Sequence, residues 1–139
     1  MPGHRLTPFV ALFSLLLPFT ASAGPREDLL AGYADAARAA DAAFTTFSAA
    51  RGEKLYRDRH AGGKPDTPSC TSCHADNPRQ SGRTLTGKAI DPVAVSVSPS
   101  RYTEPAKVEK WFKRNCREVL GRECTATEKG DWITWMISQ

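Results

Sequence analysis

The sequence predicts a small all-α domain with long irregular loops, and three observations lead to this fold class. Apolar residues recur at helical spacing in four segments of the chain. Residues that typically cap helices stand at the start of several of these segments. Residues 76–100 contain much proline, glycine and serine and show little periodicity. A domain this small buries a limited apolar core, so long loops point to a cofactor that supplies part of that core.

The N-terminal residues have the organisation of a secretory signal peptide. His4 and Arg5 precede a short apolar run at residues 9–19, and small residues follow at Ala21-Ser22-Ala23. The run is about half the length that a bilayer-spanning helix needs, which favours a cleaved signal over an uncleaved membrane anchor. We therefore expect residues 1–23 to be removed after Ala23 and the protein to be periplasmic.

Two helices are predicted in the first half of the mature chain. Residues 24–47 form an N-terminal helical extension, because this alanine-rich stretch has a weakly apolar stripe at spacings of three and four. The main domain, residues 48–139, begins with a helix that Ser48 caps. This second helix ends before Gly62-Gly63, where turn-forming residues take over.

Two further helices are predicted near the C-terminus. Thr103 caps the first, which runs to about Asn115 and carries an apolar face. The second begins at Thr125, and Glu128 completes a capping box there. In the loop before them, valines alternate at 93, 95 and 97. Prolines bracket these valines and no partner strand is visible, so we expect a short isolated extended segment.

The segment Cys70-Thr71-Ser72-Cys73-His74 has the spacing of a c-type haem attachment site. Two thiols at this spacing add across the two vinyl groups on one edge of the porphyrin, and His74 then reaches the iron as the proximal ligand. A zinc site would need all four cysteines, and the gap between the last two is wider than usual. A redox dithiol would need a βαβ context, which is missing. We therefore expect one covalently attached haem c.

The remaining cysteines, Cys116 and Cys124, are predicted to form a disulfide. Export to an oxidising compartment favours this, and no other thiols are left over. On the chain-entropy estimate, a bridge that closes so short a loop stabilises the fold by about 2.5 kcal/mol.

The sixth coordination position of the iron is open on the residues alone. Met136 is the only methionine of the mature chain, but its aromatic neighbours favour a role in the core. His60 stands near a helix end, where an exposed side chain is the commoner state, and Lys88 is a further candidate. Asn115 at the end of a predicted helix favours a C-cap.

Four stretches of the chain resemble the monohaem cytochrome family called sphaeroides haem protein. They occur in the family's order and are G-G-K-P-D-T-P-S-C-T-S-C-H, T-G-K-A-I-D-P, K-V-E-K-W-F-K-R-N-C and V-L-G-R-E-C-T-A-T-E-K-G-D. The resemblance covers the chain from about Gly62 to the C-terminus. It implies the fold of a class I cytochrome c, with loops wrapped around the haem.

The resemblance also implies an unusual iron ligand. In the family an asparagine directly before the first disulfide cysteine is the sixth ligand, which here corresponds to Asn115, Cys116 and Cys124. That asparagine leaves the iron on reduction, so that ferrous haem binds oxygen, nitric oxide and similar molecules. An amide oxygen is a hard, weak donor that suits ferric better than ferrous iron, which is consistent with such release.

The partners and activity expected of the chain follow from the same resemblance. Family members are thought to exchange electrons with a dihaem cytochrome c and a membrane b-type cytochrome. We expect no dedicated enzyme activity beyond haem chemistry with nitric oxide or oxygen, since no proton-delivery pair is evident. The alternative is a plain electron carrier whose haem is permanently six-coordinate through Met136 or His60.

The charge of the chain is modest and gives a weak indication of surface contacts. The formal net charge is +4 including Arg5. No basic stripe with interleaved aromatic residues is present, so nucleic acid is not expected as a partner. Two sets of cations are candidates for partner or haem-propionate contacts and stay unassigned at this point: Lys107, Lys110, Lys113, Arg114, Arg117 and Arg122 for partners, and Arg83, Lys88 and Arg101 for the propionates.

Overall fold

Four α-helices and one short hairpin make up the part of the chain that this computed structural model describes, which is Met1 and residues 24–139. The predicted signal peptide lies outside the described residues apart from Met1. The elements are α1 (Pro25–Ala40), α2 (Ala49–Arg57), β1 (Gly82–Arg83), β2 (Ala89–Ile90), α3 (Pro105–Leu120) and α4 (Ala126–Ser138). None of the helices described is long and apolar enough to cross a membrane.

The N-terminal helix α1 packs on the rest of the domain, but it is shorter than predicted. It ends at Ala40, and residues 41–48 continue as a turn and extended chain instead of helix to residue 47. Tyr33 and Ala37 are buried along its inner face. The Tyr33 ring meets the Phe112 ring of α3 edge-on at 6.3 Å between centroids, so α1 reaches α3 as well as α4.

Helix α2 begins where the sequence predicts and ends at Arg57. The Ser48 hydroxyl caps it by accepting a hydrogen bond from the Arg51 amide at 3.3 Å. The chain becomes extended at Asp58, and the His60 amide donates to the Pro68 carbonyl at 2.6 Å. The helix therefore ends before Gly62-Gly63, as predicted, although the loop begins several residues ahead of these glycines.

Helix α3 is longer than predicted at its C-terminal end. Glu104 rather than Thr103 is the N-cap, and Pro105 occupies the first turn. The helix continues past Asn115 to Leu120, where Gly121 takes the left-handed conformation at a φ of 72° and ends it. The prediction that the helix stops near Asn115 is therefore wrong.

Helix α4 packs across α2 and carries the main core. The capping box at its start is confirmed: the Glu128 amide donates to the Thr125 hydroxyl at 3.1 Å, and the Thr125 amide donates to the Glu128 carboxylate at 2.8 Å. Trp135 and Met136 of α4 pack with Tyr56 of α2 in one buried cluster. The helices approach closely at Gly52, where an added Cβ would lie 2.1 Å from the Asp131 carbonyl oxygen.

The loop between α2 and α3 contains the elements that the sequence did not predict. β1 and β2 pair antiparallel, with Gly82 opposite Ile90 and Arg83 opposite Ala89. Strands of two residues are too short to show an alternating pattern. The valine-rich segment is a turn instead of an extended run, because the Ser98 amide donates to the Ala94 carbonyl at 3.1 Å.

Candidate cofactor site

The Cys70–His74 segment is held as a short 3₁₀ turn that brings its three functional side chains together. The amides of Cys73 and His74 both donate to the Cys70 carbonyl, at 3.3 and 3.0 Å. Ser69 and Ser72 form a capping box at the start of this turn. Both cysteines are free thiols and are partly buried. The local fold therefore presents two thiols and one imidazole from a single rigid turn.

The two thiols face different surroundings. Cys70 packs against the cluster of Tyr56 and Trp135, and burial raises the pKa of its thiol to about 12. Cys73 lies at the other side of the turn. Burial, followed by the charge of Glu118, raises the pKa of the Cys73 thiol, while the backbone amide of Leu85 opposes this. Cys73 therefore stands between the hairpin and α3.

His74 lies in an aromatic surround contributed by α2 and α4. Its ring centroid is 6.4 Å from that of Tyr56 and 6.3 Å from that of Trp132. Burial lowers the pKa of the imidazole to about 4, and the nearby charge of Arg101 adds to this. The ring is thus neutral at physiological pH, which is the form that can donate a lone pair to a metal.

The hairpin supports the turn from the other side. The Arg83 amide donates to the Cys73 carbonyl at 2.8 Å. At Gly82, a Cβ would lie 2.1 Å from the same carbonyl oxygen and 2.8 Å from the His74 Cα. Only glycine allows this approach. No local pattern indicates this role for Gly82, because a glycine in a loop is ordinarily interpreted as part of a turn.

Asn115 lies on α3 at the edge of its buried face, exposed to solvent. Phe112, three residues earlier, contacts Trp132 at 6.3 Å between ring centroids, and Trp132 in turn contacts His74. Glu118, three residues later, acts on the Cys73 thiol. Residues three apart are neighbours on a helix, so Asn115 stands between two side chains tied to the Cys70–His74 turn. The prediction of a C-cap is wrong, since Gly121 ends the helix.

The sulfur atoms of Cys116 and Cys124 are at disulfide distance, and their Cα atoms lie 5.6 Å apart. Because these two cysteines face each other, they cannot join Cys70 and Cys73 around one zinc ion. The pair joins Cys116 in the C-terminal part of α3 to Cys124, the residue before the Thr125 cap of α4. Asn115 therefore sits on a helix that is fixed at its C-terminal end, and not in a loop.

The alternative iron ligands have other contacts. Met136 is fully buried in the core cluster with Tyr56 and Trp135. The His60 Nε2 lies 3.0 Å from the Leu55 carbonyl oxygen, at hydrogen-bond distance. Lys88 is exposed at the hairpin.

Comparison with known proteins decides the family of the chain. Residues 42–136 match the family described as "Domain of unknown function (DUF1924)". The chain is also 44% identical over 135 residues to the cytochrome c-type protein SHP of Cereibacter sphaeroides, and the match covers 96% of this chain and all of that relative. The chain belongs to the SHP family of c-type cytochromes. The resemblance stated from the sequence is thereby confirmed.

Solved structures of related cytochromes have the same fold. The structure titled "Structure of oxidized SHP, an oxygen binding cytochrome c" matches with a TM-score of 0.76 and 44% identity, covering 86% of this chain and all of that one. A solution structure of cytochrome c'' from Methylophilus methylotrophus matches with a TM-score of 0.71 and 30% identity, over 82% of this chain and 93% of that one. The predicted all-α, class I cytochrome c-like fold is confirmed.

A c-type cytochrome carries covalently attached haem c, so the predicted cofactor is confirmed at the level of the family. The residues described here fit that group. Two free thiols and a neutral imidazole project from one turn. Leu85 is among the large apolar side chains that are exposed in the described residues, at 60%. Leu85 adjoins Cys73. An apolar macrocycle is a suitable cover for such side chains.

Two parts of the site were missed by reasoning from the sequence. One is the contact of Tyr56 and Trp132 with His74, for which aromatic residues at helical spacing on two helices were the available signal. The other is the hairpin, whose Gly82 and Leu85 meet the turn. Neither position of the hairpin has a local pattern that separates it from an ordinary loop.

Proposed function

We propose that this SHP-family chain is an exported, periplasmic cytochrome that accepts electrons from partner cytochromes and binds small diatomic molecules such as oxygen or nitric oxide. Haem c supplies an iron that changes between the ferric and ferrous states and has one axial position on each face. The observation that carries the proposal is the position of Asn115 on α3, between Phe112, which contacts Trp132 beside His74, and Glu118, whose charge acts on the Cys73 thiol.

Cys70, Cys73 and His74 hold the cofactor in this proposal. The thiols form the two thioether bonds, and the neutral imidazole of His74 is the proximal ligand. Tyr56 supports the segment from beneath, because its hydroxyl donates to the Ala75 carbonyl directly after His74. The turn is therefore fixed before and after the ligand.

Asn115 is the sixth, labile ligand in this proposal. Its amide oxygen is a weak donor that would suit ferric better than ferrous iron, so it would hold reduced haem less tightly. The helix and the Cys116–Cys124 pair keep the side chain near its site, which favours its return on oxidation. After release, the amide N–H can donate a hydrogen bond to a bound ligand.

The descriptions of the related structures support both the proposed ligand binding and the proposed release of an iron ligand. The C. sphaeroides SHP is described as an oxygen-binding cytochrome c, and the study of cytochrome c'' as offering insights into haem-ligand detachment. These properties belong to those proteins. The sequence match extends over the whole of this chain's cytochrome domain, which supports proposing both properties here.

Carbon monoxide binding tests the proposal against the plain electron carrier. We expect the purified ferrous protein to change its absorption spectrum when carbon monoxide is added. Met136→Leu and His60→Gln should behave like the wild type, because neither residue occupies the iron. If the wild type ignores the gas and one of these variants binds it, the chain is a six-coordinate carrier and the proposed function is wrong.

A further inference from the structure

One face of α3 lines a depression rich in positive charge. Its volume is about 670 Å³. We call this depression the basic groove, and its lining residues are Lys64, Lys110, Lys113, Arg114, Arg117 and Glu118. All but Lys64 lie on the outer side of α3, opposite the side that packs on Trp132.

Much of the positive charge in the basic groove is not neutralised. Lys64 pairs with Glu118 at 3.4 Å, and Arg117 pairs with Glu123 at 2.7 Å. The other three cations, Lys110, Lys113 and Arg114, make no ion pair within residues 24–139. Five cations and two carboxylates leave +3 in this region, whereas the whole chain has a formal charge of +4.

The basic groove adjoins the cofactor site. Glu118 lines the groove, and its backbone carbonyl accepts a hydrogen bond at 3.4 Å from the hydroxyl of Thr67, in the loop that leads into Cys70. Arg114 precedes Asn115, and its guanidinium lies 5.5 Å from the centroid of the exposed Trp111 ring. The groove therefore adjoins the loop that leads into Cys70, and one of its lining residues, Arg114, is the chain neighbour of Asn115.

We propose that the basic groove docks the acidic face of a redox protein that exchanges electrons with the cofactor. This inference rests on the proposed function as a cytochrome. A positive surface steers an acidic partner into encounter and fixes its orientation. Long, flexible lysine side chains spread over a volume of 670 Å³ suit a protein surface better than one small anion.

The proposal redefines which cations take part in docking. Lys107 was one of the candidates from the sequence, but it pairs with Glu104 at 3.1 Å and does not line the groove. Arg122 also lies outside the lining and pairs with Glu128 at 2.7 Å. Lys64 was not a candidate from the sequence. It belongs to the groove because the loop after α2 folds back onto α3, where the Lys64 backbone amide donates a hydrogen bond to the Glu118 carbonyl at 2.8 Å.

A charge-reversal triple variant tests the groove in the haem-loaded protein. The variant is Lys110→Glu, Lys113→Glu and Arg114→Glu, and the probe is a synthetic peptide of twenty glutamates at low ionic strength. We expect wild-type protein to bind the peptide, with amide NMR shifts confined to α3 and the Lys64 loop. The triple variant should bind it at least tenfold more weakly.

A matched control separates the groove from the overall charge. Arg38→Glu, Lys54→Glu and Arg59→Glu change the net charge by the same amount at exposed positions outside the groove. We expect this control to lose less than threefold in peptide affinity. Equal losses in both triple variants would overturn the proposal. The proposal would also be overturned if inorganic phosphate, at matched ionic strength and at concentrations similar to those of the peptide, displaced the peptide from the wild-type protein.

Two further measurements distinguish a failure of the groove proposal from a failure of the proposed function. Oxidation of the ferrous protein by the hexacyanoferrate(III) trianion should be at least tenfold slower in the groove variant than in the control, and an equal rate in the two would overturn the groove. Carbon monoxide binding should be the same in both. If the groove behaves as expected while the wild type fails to bind carbon monoxide, docking stands and the proposed ligand binding is wrong.

Discussion

At the scale of single residues, the cofactor site is a set of side chains whose chemistry depends on short supports. His74 is neutral because it is buried, and it is buried because Tyr56 and Trp132 approach it from two helices. Cys73 is fixed by the hairpin, where Gly82 leaves room that any other residue would fill. Among the four residues proposed to hold the haem, only Asn115 is exposed, and only Asn115 lies on α3.

Replacing Asn115 with methionine should raise the reduction potential. A thioether is a softer ligand than an amide oxygen and favours ferrous iron. Each tenfold gain in preference for the ferrous state raises a one-electron potential by about 59 mV, and we expect at least that change. Spectroelectrochemical titration of wild type and Asn115→Met measures it.

The matched control for this substitution is Lys113→Met, which places the same side chain two residues earlier on the outer side of α3. Its potential should stay close to that of the wild type. Equal potentials for Asn115→Met and wild type would show that residue 115 does not reach the iron.

The residues of the attachment turn were predictable from the sequence, because the chemistry of haem attachment fixes three positions in five. Asn115 was different. An asparagine next to a cysteine has no chemical signature, so only the family resemblance pointed to it. The structure adds that it is inside a helix, which the residues around it did not indicate, since asparagine is more common at helix ends than inside helices.

At the scale of secondary structure, helix ends hold the pieces of the site in place. The start of α4 is fixed by its capping box and by an ion pair between Arg122 and Glu128 at 2.7 Å. The end of α3 is fixed by Gly121 and by the pairing of Cys116 with Cys124. These contacts meet within one short connection, which sets the position of α3 relative to α4.

The Glu128 carboxylate should make stability depend on pH. Burial raises its pKa, but hydrogen bonds from Arg122 and from Thr125 outweigh this and hold the pKa below its ordinary value. A carboxyl group with a lowered pKa in the folded state stabilises the fold above its unfolded pKa, and this contribution is lost as pH falls through the folded-state pKa. Wild type should therefore exceed Glu128→Gln by about 1 kcal/mol near neutral pH.

Urea unfolding of the two proteins at pH 7 and near pH 3 checks this expectation. The difference in unfolding free energy should shrink at the lower pH, because protonation of the wild-type carboxylate removes its contribution as pH falls through the folded-state pKa. Glu104→Gln, which removes an exposed ion pair with Lys107, is the control and should differ little from wild type at either pH. A Glu128→Gln difference that is constant with pH would contradict the assignment.

The Cys116–Cys124 pair should stabilise the domain if it is oxidised. On the chain-entropy estimate, Cys116→Ser with Cys124→Ser lowers the unfolding free energy by about 2.5 kcal/mol. Chemical denaturation measures the loss. A thiol reductant should bring the wild type to the level of the double variant and leave the variant unchanged. No effect of the reductant on the wild type would contradict the bridge.

Element ends were harder to predict than element identity, for physical reasons. Ser48 and Thr125 each cap a helix through side-chain bonds that the sequence signals locally. The ends of α1 and α2 depend on contacts made by distant parts of the chain, such as the bond between His60 and Pro68. The hairpin is made by two pairs of residues and leaves no periodic pattern at all.

At the scale of the whole molecule, the fold class was predictable because the sequence motif for haem attachment narrows the number of possible folds. An export signal, a haem attachment motif and helices joined by long loops are together typical of a small cytochrome. The arrangement of α1, α2 and α4 around Tyr56 and Trp132 was not predictable from the sequence, since several pairings of these amphipathic helices satisfy the same apolar pattern. The cations of α3 that line the groove were candidates from the sequence, whereas Lys64 joins them only through the fold.

In the proposed function, the Cys70–His74 turn would hold haem c and the Asn115 amide on α3 would be its weak ligand. The central claim is that Asn115 contacts the iron in the ferric state and leaves it in the ferrous state. The most direct test records absorption spectra of wild type and Asn115→Ala in both oxidation states. We predict that the substitution changes the ferric spectrum and leaves the ferrous spectrum, five-coordinate and high-spin, unchanged. An unchanged ferric spectrum, or a low-spin ferrous wild type, would contradict the claim.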